Sequence, residues 1–190
     1  MKNILVICGI ETRRKPDGTV IGTSETFRNN ARTVEYDYRG ENVVVIDARD
    51  YLKEANPMAA LWTAASTAFG KLPIERIYYS GHSDPDGLYV YSHIRKELPQ
   101  ESRYFLVGDE YWHATYSKDC KIYLFGCQTA GTHNKKYDVC IAQDIATRSG
   151  CTVYGYAART SQQKRKDGRF YQRPDYRTLH KFTPVVLGTT

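Results

Sequence analysis

A chain of 190 residues is long enough to bury one core unaided, and 41% apolar with 25% charged residues excludes a disordered chain. No apolar run approaches the roughly 18 residues that a bilayer span needs, which sets membrane roles aside. The net charge of +6 is a modest basic excess, and tyrosine is over-used, with 16 copies against 6 phenylalanines. Those rings either pack with polar tips at a core's rim or line a binding surface.

In chain order, Ile4–Cys8 is a β-branched run suited to a strand buried on both faces, closed by Gly9. Its weak likeness to a signal peptide fails for want of a cleavage site. Lys15-Pro16-Asp17-Gly18-Thr19 is a turn signal inside the polar stretch Glu11–Thr26. Phe27, Ala31, Val34 and Tyr38 fall at helical spacing, with Gly40 as the stop. Val43–Ile46 is a second buried strand. Asn56-Pro57 opens a helix carrying Met58, Leu61, Trp62, Ala65 and Phe69. Ile74–Ser80, the third strand, exits into Gly81-His82-Ser83. Asp84-Pro85-Asp86-Gly87 is a tight turn and Leu88–Tyr91 a short hairpin arm.

Tyr104–Val107 reads as a minor strand and Tyr111–Tyr116 as helical. Ile122–Phe125 is the fourth long strand, leading into Gly126-Cys127-Gln128-Thr129-Ala130-Gly131. Asp138–Ser149 is an amphipathic helix capped by Gly150, and Cys151–Tyr156 a fifth strand. Beyond it, Asp167-Gly168 makes a hairpin turn in a polar, basic segment. Strands alternating with helices predict a single α/β domain with a mostly parallel sheet. Its core spans about residues 2–160, and residues 161–190 form a basic C-terminal extension.

The five cysteines (Cys8, Cys120, Cys127, Cys140, Cys151) are odd in number and lack C-x-x-C spacing. They read as reduced thiols of a cytoplasmic protein, with Cys8, Cys140 and Cys151 as small buried hydrophobes. The five histidines show no ligand spacing, and Asp84 and Asp86 read as turn formers, so no metal and no cofactor is expected.

In a parallel sheet, ligands bind beyond the carboxyl ends of the strands, where His82 and Cys127 both fall. An imidazole beside a thiol assists its deprotonation and protonates a leaving amine. The helix starting near Tyr137 would add a second activator by pointing its N-terminus at Cys127. The backbone N–H groups of Ser83 and Cys127 are candidates to hold an oxyanion.

The blocks Ile77-Tyr78-Tyr79-Ser80-Gly81-His82 and Ile122-Tyr123-Leu124-Phe125-Gly126-Cys127 resemble the caspase-like clan of cysteine peptidases. That clan includes gingipains, clostripain, separase, CHAT domains and toxin autoprocessing domains. Cys127-Gln128-Thr129-Ala130-Gly131 is similar to the Cys-x-Thr/Ser-small pattern of CHAT-like members. The resemblance implies a caspase–hemoglobinase-like three-layer sandwich and cysteine endopeptidase activity on a peptide or protein substrate, with His82 and Cys127 catalytic. Ser83 stands where the clan usually has glycine.

The clan's specificity pockets imply roles for Glu11, Arg13 and Arg14, and for Tyr156-Ala157-Ala158-Arg159. Both charge signs are present, which leaves the preferred P1 residue open. The basic segment 164–181 is either a solvated loop or a site for an acidic or polyanionic partner. The resemblance to toxin autoprocessing domains implies inositol hexakisphosphate there. No nucleic-acid motif accompanies the charge, so no specific nucleic acid is expected. The alternative to an enzyme is a non-catalytic caspase-like module that binds a peptide, partner protein or polyanion.

Overall fold

The structure, a computed structural model, describes residues 1–91, 94–131, 137–158, 161–173 and 179–185. The first strand, β1 (Asn3–Cys8), is buried along its whole length, as its unbroken apolar run requires. β2 (Glu11–Arg14) and β3 (Val20–Ser24) form the hairpin signalled by the Pro-Asp-Gly turn. Helix α1 (Thr26–Asp37) follows, then β4 (Asn42–Asp47) and a 3-10 turn at Ala48–Tyr51. Helix α2 (Pro57–Thr67) starts where Asn56-Pro57 predicts. The Asn56 side chain accepts from the Ala59 N–H at 3.1 Å, satisfying one of the first-turn amides.

Next come β5 (Ile74–Ser80), β6 (His82–Asp84), β7 (Gly87–Tyr89) and β8 (Phe105–Leu106). Then β9 (Tyr116–Phe125) and helix α3 (Ile141–Ser149) precede β10 (Thr152–Tyr156). A hairpin of β11 (Ser161–Lys164) and β12 (Phe170–Arg173) leads to β13 (Leu179–Phe182).

Six strands make the central sheet in the order β4-β1-β5-β9-β10-β13. Every neighbouring pair is parallel except β10 with β13. The fold is therefore mixed α/β with a mostly parallel sheet and, among the described residues, three helices. Alternation along the strands divides the core. Ile4, Val6, Cys8 and Tyr78 face α1 through Phe27 and Ala31. Leu5, Ile7, Ile77, Ile122, Leu124 and Val153 face α2 and α3. Burying each such aliphatic side chain contributes roughly 1.5–3 kcal/mol, which makes the two-sided sheet the stable frame. No helix among the described residues is long and apolar enough to cross a membrane.

The structure departs from the sequence expectations at five places. Val43–Ile46, expected as a buried strand, lies in the edge strand β4, where Val43, Val44 and Val45 are only half-buried. Residues 111–115 are irregular rather than helical, with Trp112 fully buried at φ +73° against Trp62 and Phe105. β9 begins at Tyr116, well before Ile122. Its first half alternates exposed Lys118, Asp119 and Lys121 with buried Cys120, so no continuous apolar run marks it. Helix α3 begins at Ile141 rather than Asp138. Leu179–Phe182, placed in the basic extension, instead closes one sheet edge. Only Leu179 and Phe182 turn inward there, and His180 and Lys181 are exposed, as suits an edge strand.

Candidate active site

β5 and β9 are neighbours, and their register runs without a break from Arg76 opposite Lys121 to Ser80 opposite Phe125. His82 and Cys127 are each two residues beyond that last pair, at the carboxyl end of the sheet. The structure thus places the two residues that the sequence singles out at corresponding positions past neighbouring strands.

His82 is held from several sides. The residue before it must be glycine, because a Cβ on Gly81 would stand 2.2 Å from the Tyr79 hydroxyl. That buried hydroxyl donates to the His82 carbonyl at 2.8 Å. The imidazole meets the Phe27 ring edge-on, with centroids 5.0 Å apart and planes at 85°. His82 is the first residue of β6 and pairs with Tyr89 of β7, so it sits on an ordered strand rather than in a loop. The Asp84 carboxylate accepts from the Asp86 and Gly87 N–H groups at 2.8 and 3.1 Å and from the Tyr89 hydroxyl, which makes it the turn former expected.

The exit of β1 adds a carboxylate. The Gly9 N–H donates to the Ser80 carbonyl at 2.8 Å, and the Ile10 N–H to the Val90 carbonyl at 2.7 Å, laying the chain across the end of β5. Glu11 follows, near enough to act on His82. Burial lowers the His82 pKa below its ordinary 6.5, and the Glu11 charge opposes that shift. The imidazole is therefore neutral at pH 7 and able to accept a proton.

Cys127 is half-buried, while the other four thiols are buried. Its carbonyl accepts from the Ser83 hydroxyl at 2.7 Å. The loop after it is bound to the end of β10. The Gln128 N–H donates to Ala158 at 3.1 Å, the Ala130 N–H to Tyr156 at 3.0 Å, and the Tyr156 N–H to the Thr129 hydroxyl at 3.0 Å. Thr129 is fully buried, and a Cβ on Gly155 would stand 2.6 Å from its oxygen. Gln128 takes φ +56°, the left-handed turn that folds the loop back.

The N-terminus of α3 does reach this loop, but its amides serve it structurally. The Ile141 N–H donates to the Pro85 carbonyl at 2.7 Å and the Ala142 N–H to the Thr129 carbonyl at 3.2 Å. Those two donors clamp the His82 turn to the Cys127 loop and are not open to a ligand. The dipole expected from a helix starting near Tyr137 is thus displaced to Ile141 and spent on carbonyls.

Of the residues assigned to specificity, Glu11 lies beside His82, and Tyr156 and Ala158 hold the Cys127 loop. The side chains of Arg13 and Arg14 and all of Arg159 lie outside the described residues, as do His93 and His133. In the basic hairpin, Arg165 binds the Asp37 carboxylate at 2.9 and 2.8 Å. Arg169 binds Asp167 at 2.8 Å and lies over the Tyr36 ring at 3.0 Å. Both arginines thus tie the hairpin to itself and to α1. Among the described residues, no group of three or more His, Cys, Asp or Glu is placed to hold a metal ion.

Sequence reasoning did not find Tyr79, Phe27 or Thr129 as supports of the site. Phe27 carries only the signal of a helix core position and Tyr79 none that separates it from ordinary packing, while Thr129 enters only through its place in the Cys-x-Thr/Ser-small likeness. Comparison of the chain with protein-family models, with curated proteins and with solved structures returns no match. Fold and site together define a mixed α/β protein with an imidazole and a thiol at the ends of adjacent parallel strands.

Proposed function

We propose that this protein is a cysteine endopeptidase of caspase–hemoglobinase-like architecture, acting through His82 and Cys127. The observation that carries the reading is the β5–β9 register, which sets the two side chains at equivalent positions past neighbouring strands. His82 takes the Cys127 proton and the sulfur attacks the scissile carbonyl carbon. The oxyanion so formed is held by the backbone N–H groups of Ser83 and Cys127. The imidazolium then protonates the leaving amine, giving a thioester. Water, deprotonated by His82, hydrolyses the thioester and restores the thiol. No step calls for a cofactor.

Incubation with a mixed peptide library tests the reading. Cleavage is expected from the wild type and is lost in Cys127→Ala and in His82→Ala. Cleavage that survives Cys127→Ala overturns the thiol mechanism. Iodoacetamide offers a second readout, in which Cys127 alkylates faster than a simple thiol and His82→Ala removes the excess rate.

One observation favours a second reading, a non-catalytic module that binds a peptide or partner protein. Ser83 replaces the clan's glycine and spends its hydroxyl on the Cys127 carbonyl, a tie that closes the loop rather than leaving it to adapt. On that reading the library yields bound peptides but no cleavage, and binding persists in Cys127→Ala. A polyanion at the basic hairpin would compete with Asp37 for Arg165. An unchanged melting temperature in excess inositol hexakisphosphate removes that role.

A further inference from the structure

Two thiols remote from Cys127 stand side by side. β9 and β10 run parallel with Ile122 opposite Val153 and Lys121 opposite Thr152, so the next pair toward the amino ends is Cys120 opposite Cys151. Both side chains belong to the face packed against α2 and α3, and they are only 2% and 3% exposed. Neighbouring strands lie about 4.8 Å apart, inside the roughly 4.4–6.8 Å between Cα atoms that a disulfide spans. The Cys120 thiol hydrogen-bonds to the Cys151 sulfur, which raises the pKa of Cys120 and lowers that of Cys151. The Cys151 N–H is in turn held by the Ser149 hydroxyl at 3.1 Å, which fixes the end of β10.

We propose that Cys120 and Cys151 are a redox pair that closes to a disulfide when a peroxide reaches it, a role that does not depend on the endopeptidase reading. The Cys151 thiolate attacks one peroxide oxygen. The O–O bond breaks, an S–O bond forms, and the departing hydroxide takes the thiol proton as water. The Cys120 sulfur then attacks the Cys151 sulfur, forming the S–S bond and breaking the S–O bond. The second hydroxide leaves with the Cys120 proton as water. Two thiols are oxidised and one hydrogen peroxide is reduced to two waters. A thiol reductant reverses the bridge.

The bridge joins the strand that delivers Cys127 to the strand whose far end holds the Cys127 loop. It also closes a long loop of chain through α3, which constrains the unfolded state. Burial restricts access to a water-sized oxidant. The pair therefore responds to hydrogen peroxide while remaining closed to a bulky alkylating reagent in the folded protein.

The test is hydrogen peroxide treatment of the full chain, alkylation after unfolding, and tryptic mapping without reductant. The expected product joins peptide 119–121 to peptide 149–159 with the loss of two hydrogens. It is reversed by dithiothreitol and is accompanied by a rise in Tm on the order of 5 °C. Cys127 and Cys140 fall on other tryptic peptides, so their oxidation is read separately. Recovery of both peptides as free thiols after Cys127 has been fully oxidised overturns the proposal, and so does a bridge to any other cysteine. The Cys120→Ser and Cys151→Ser variants lose the Tm rise, while the mapping of the wild-type chain decides the matter even if either variant fails to fold.

Discussion

The Ser83 hydroxyl donates to the Cys127 carbonyl at 2.7 Å and occupies the space beside Gly126, where an added Cβ would stand 1.9 Å from the same oxygen. The two exits are therefore fitted to one another. A side chain on the His82 exit fills the place that a side chain on the Cys127 exit would need. The serine at 83 is accommodated by the glycine at 126.

That fit gives a double-mutant prediction. Gly126→Ala forces backbone or Ser83 to move and is expected to cost about 1–3 kcal/mol. Ser83→Ala removes the donor to a part-buried carbonyl and costs about 1 kcal/mol. In the Ser83→Gly background, Gly126→Ala becomes markedly less costly, because the clashing atoms are gone. Urea denaturation of the wild type, Gly126→Ala, Ser83→Gly and the Ser83→Gly/Gly126→Ala double variant measures the coupling, and strictly additive costs would contradict the packing described.

Thr129 sets the height of the Cys127 loop. Thr129→Val keeps the shape but leaves the buried Tyr156 N–H without its acceptor, at an expected cost of about 1–3 kcal/mol. Thr129→Ser keeps the oxygen and costs less. On the endopeptidase reading, kcat/KM falls in the valine variant and is largely rescued by serine. A valine variant as stable as the wild type would show that the Tyr156 bond is unimportant.

The buried imidazole makes stability depend on pH and, on the endopeptidase reading, activity as well. Burial sets the His82 pKa below 6.5, and a general base must be neutral, so the acid limb of kcat/KM lies below pH 6.5. Glu11→Gln removes the charge that pulls the pKa back up, and so moves the limb lower still. The unfolded chain protonates this histidine first. Its contribution to stability is therefore complete above pH 6.5 and is lost as the pH falls from there through the folded pKa. A pH–rate profile and urea titrations between pH 4 and 8 measure both. An acid limb above 6.5, or an upward shift in Glu11→Gln, would contradict the assignment.

The Arg165–Asp37 pair is the described ionic tie between the basic hairpin and α1. Both partners are well exposed, so Arg165→Ala should leave global stability nearly unchanged. The local effect is larger, since Arg169 over Tyr36 then holds the hairpin without it. Limited trypsin digestion is expected to cut after Lys166 faster in Arg165→Ala, and faster in the wild type at high salt than at low salt. Equal cutting rates would mean that the pair does not fasten the hairpin.

The sequence alone determined the frame and the place of the candidate site. The apolar runs of β1 and β4, alternating along the chain with amphipathic helices, marked a mostly parallel sheet, and the glycines at 81 and 126 mark where two strands end beside a histidine and a cysteine. Periodicity gave α1 and α2 because their apolar positions repeat each turn. It was silent about the first half of β9 and about β13, where polar and charged residues interrupt the apolar pattern at the sheet's open end and edge. It was also silent about strand neighbours, since the order of a sheet depends on contacts far apart in the chain. Only the tertiary structure set His82 beside the Cys127 exit, turned the Ser83 hydroxyl onto the Cys127 carbonyl, and used the first amides of α3 to clamp the two loops. The Ser83–Cys127 and Ile141–Pro85 bonds join residues more than forty positions apart, and no local pattern of side chains encodes them.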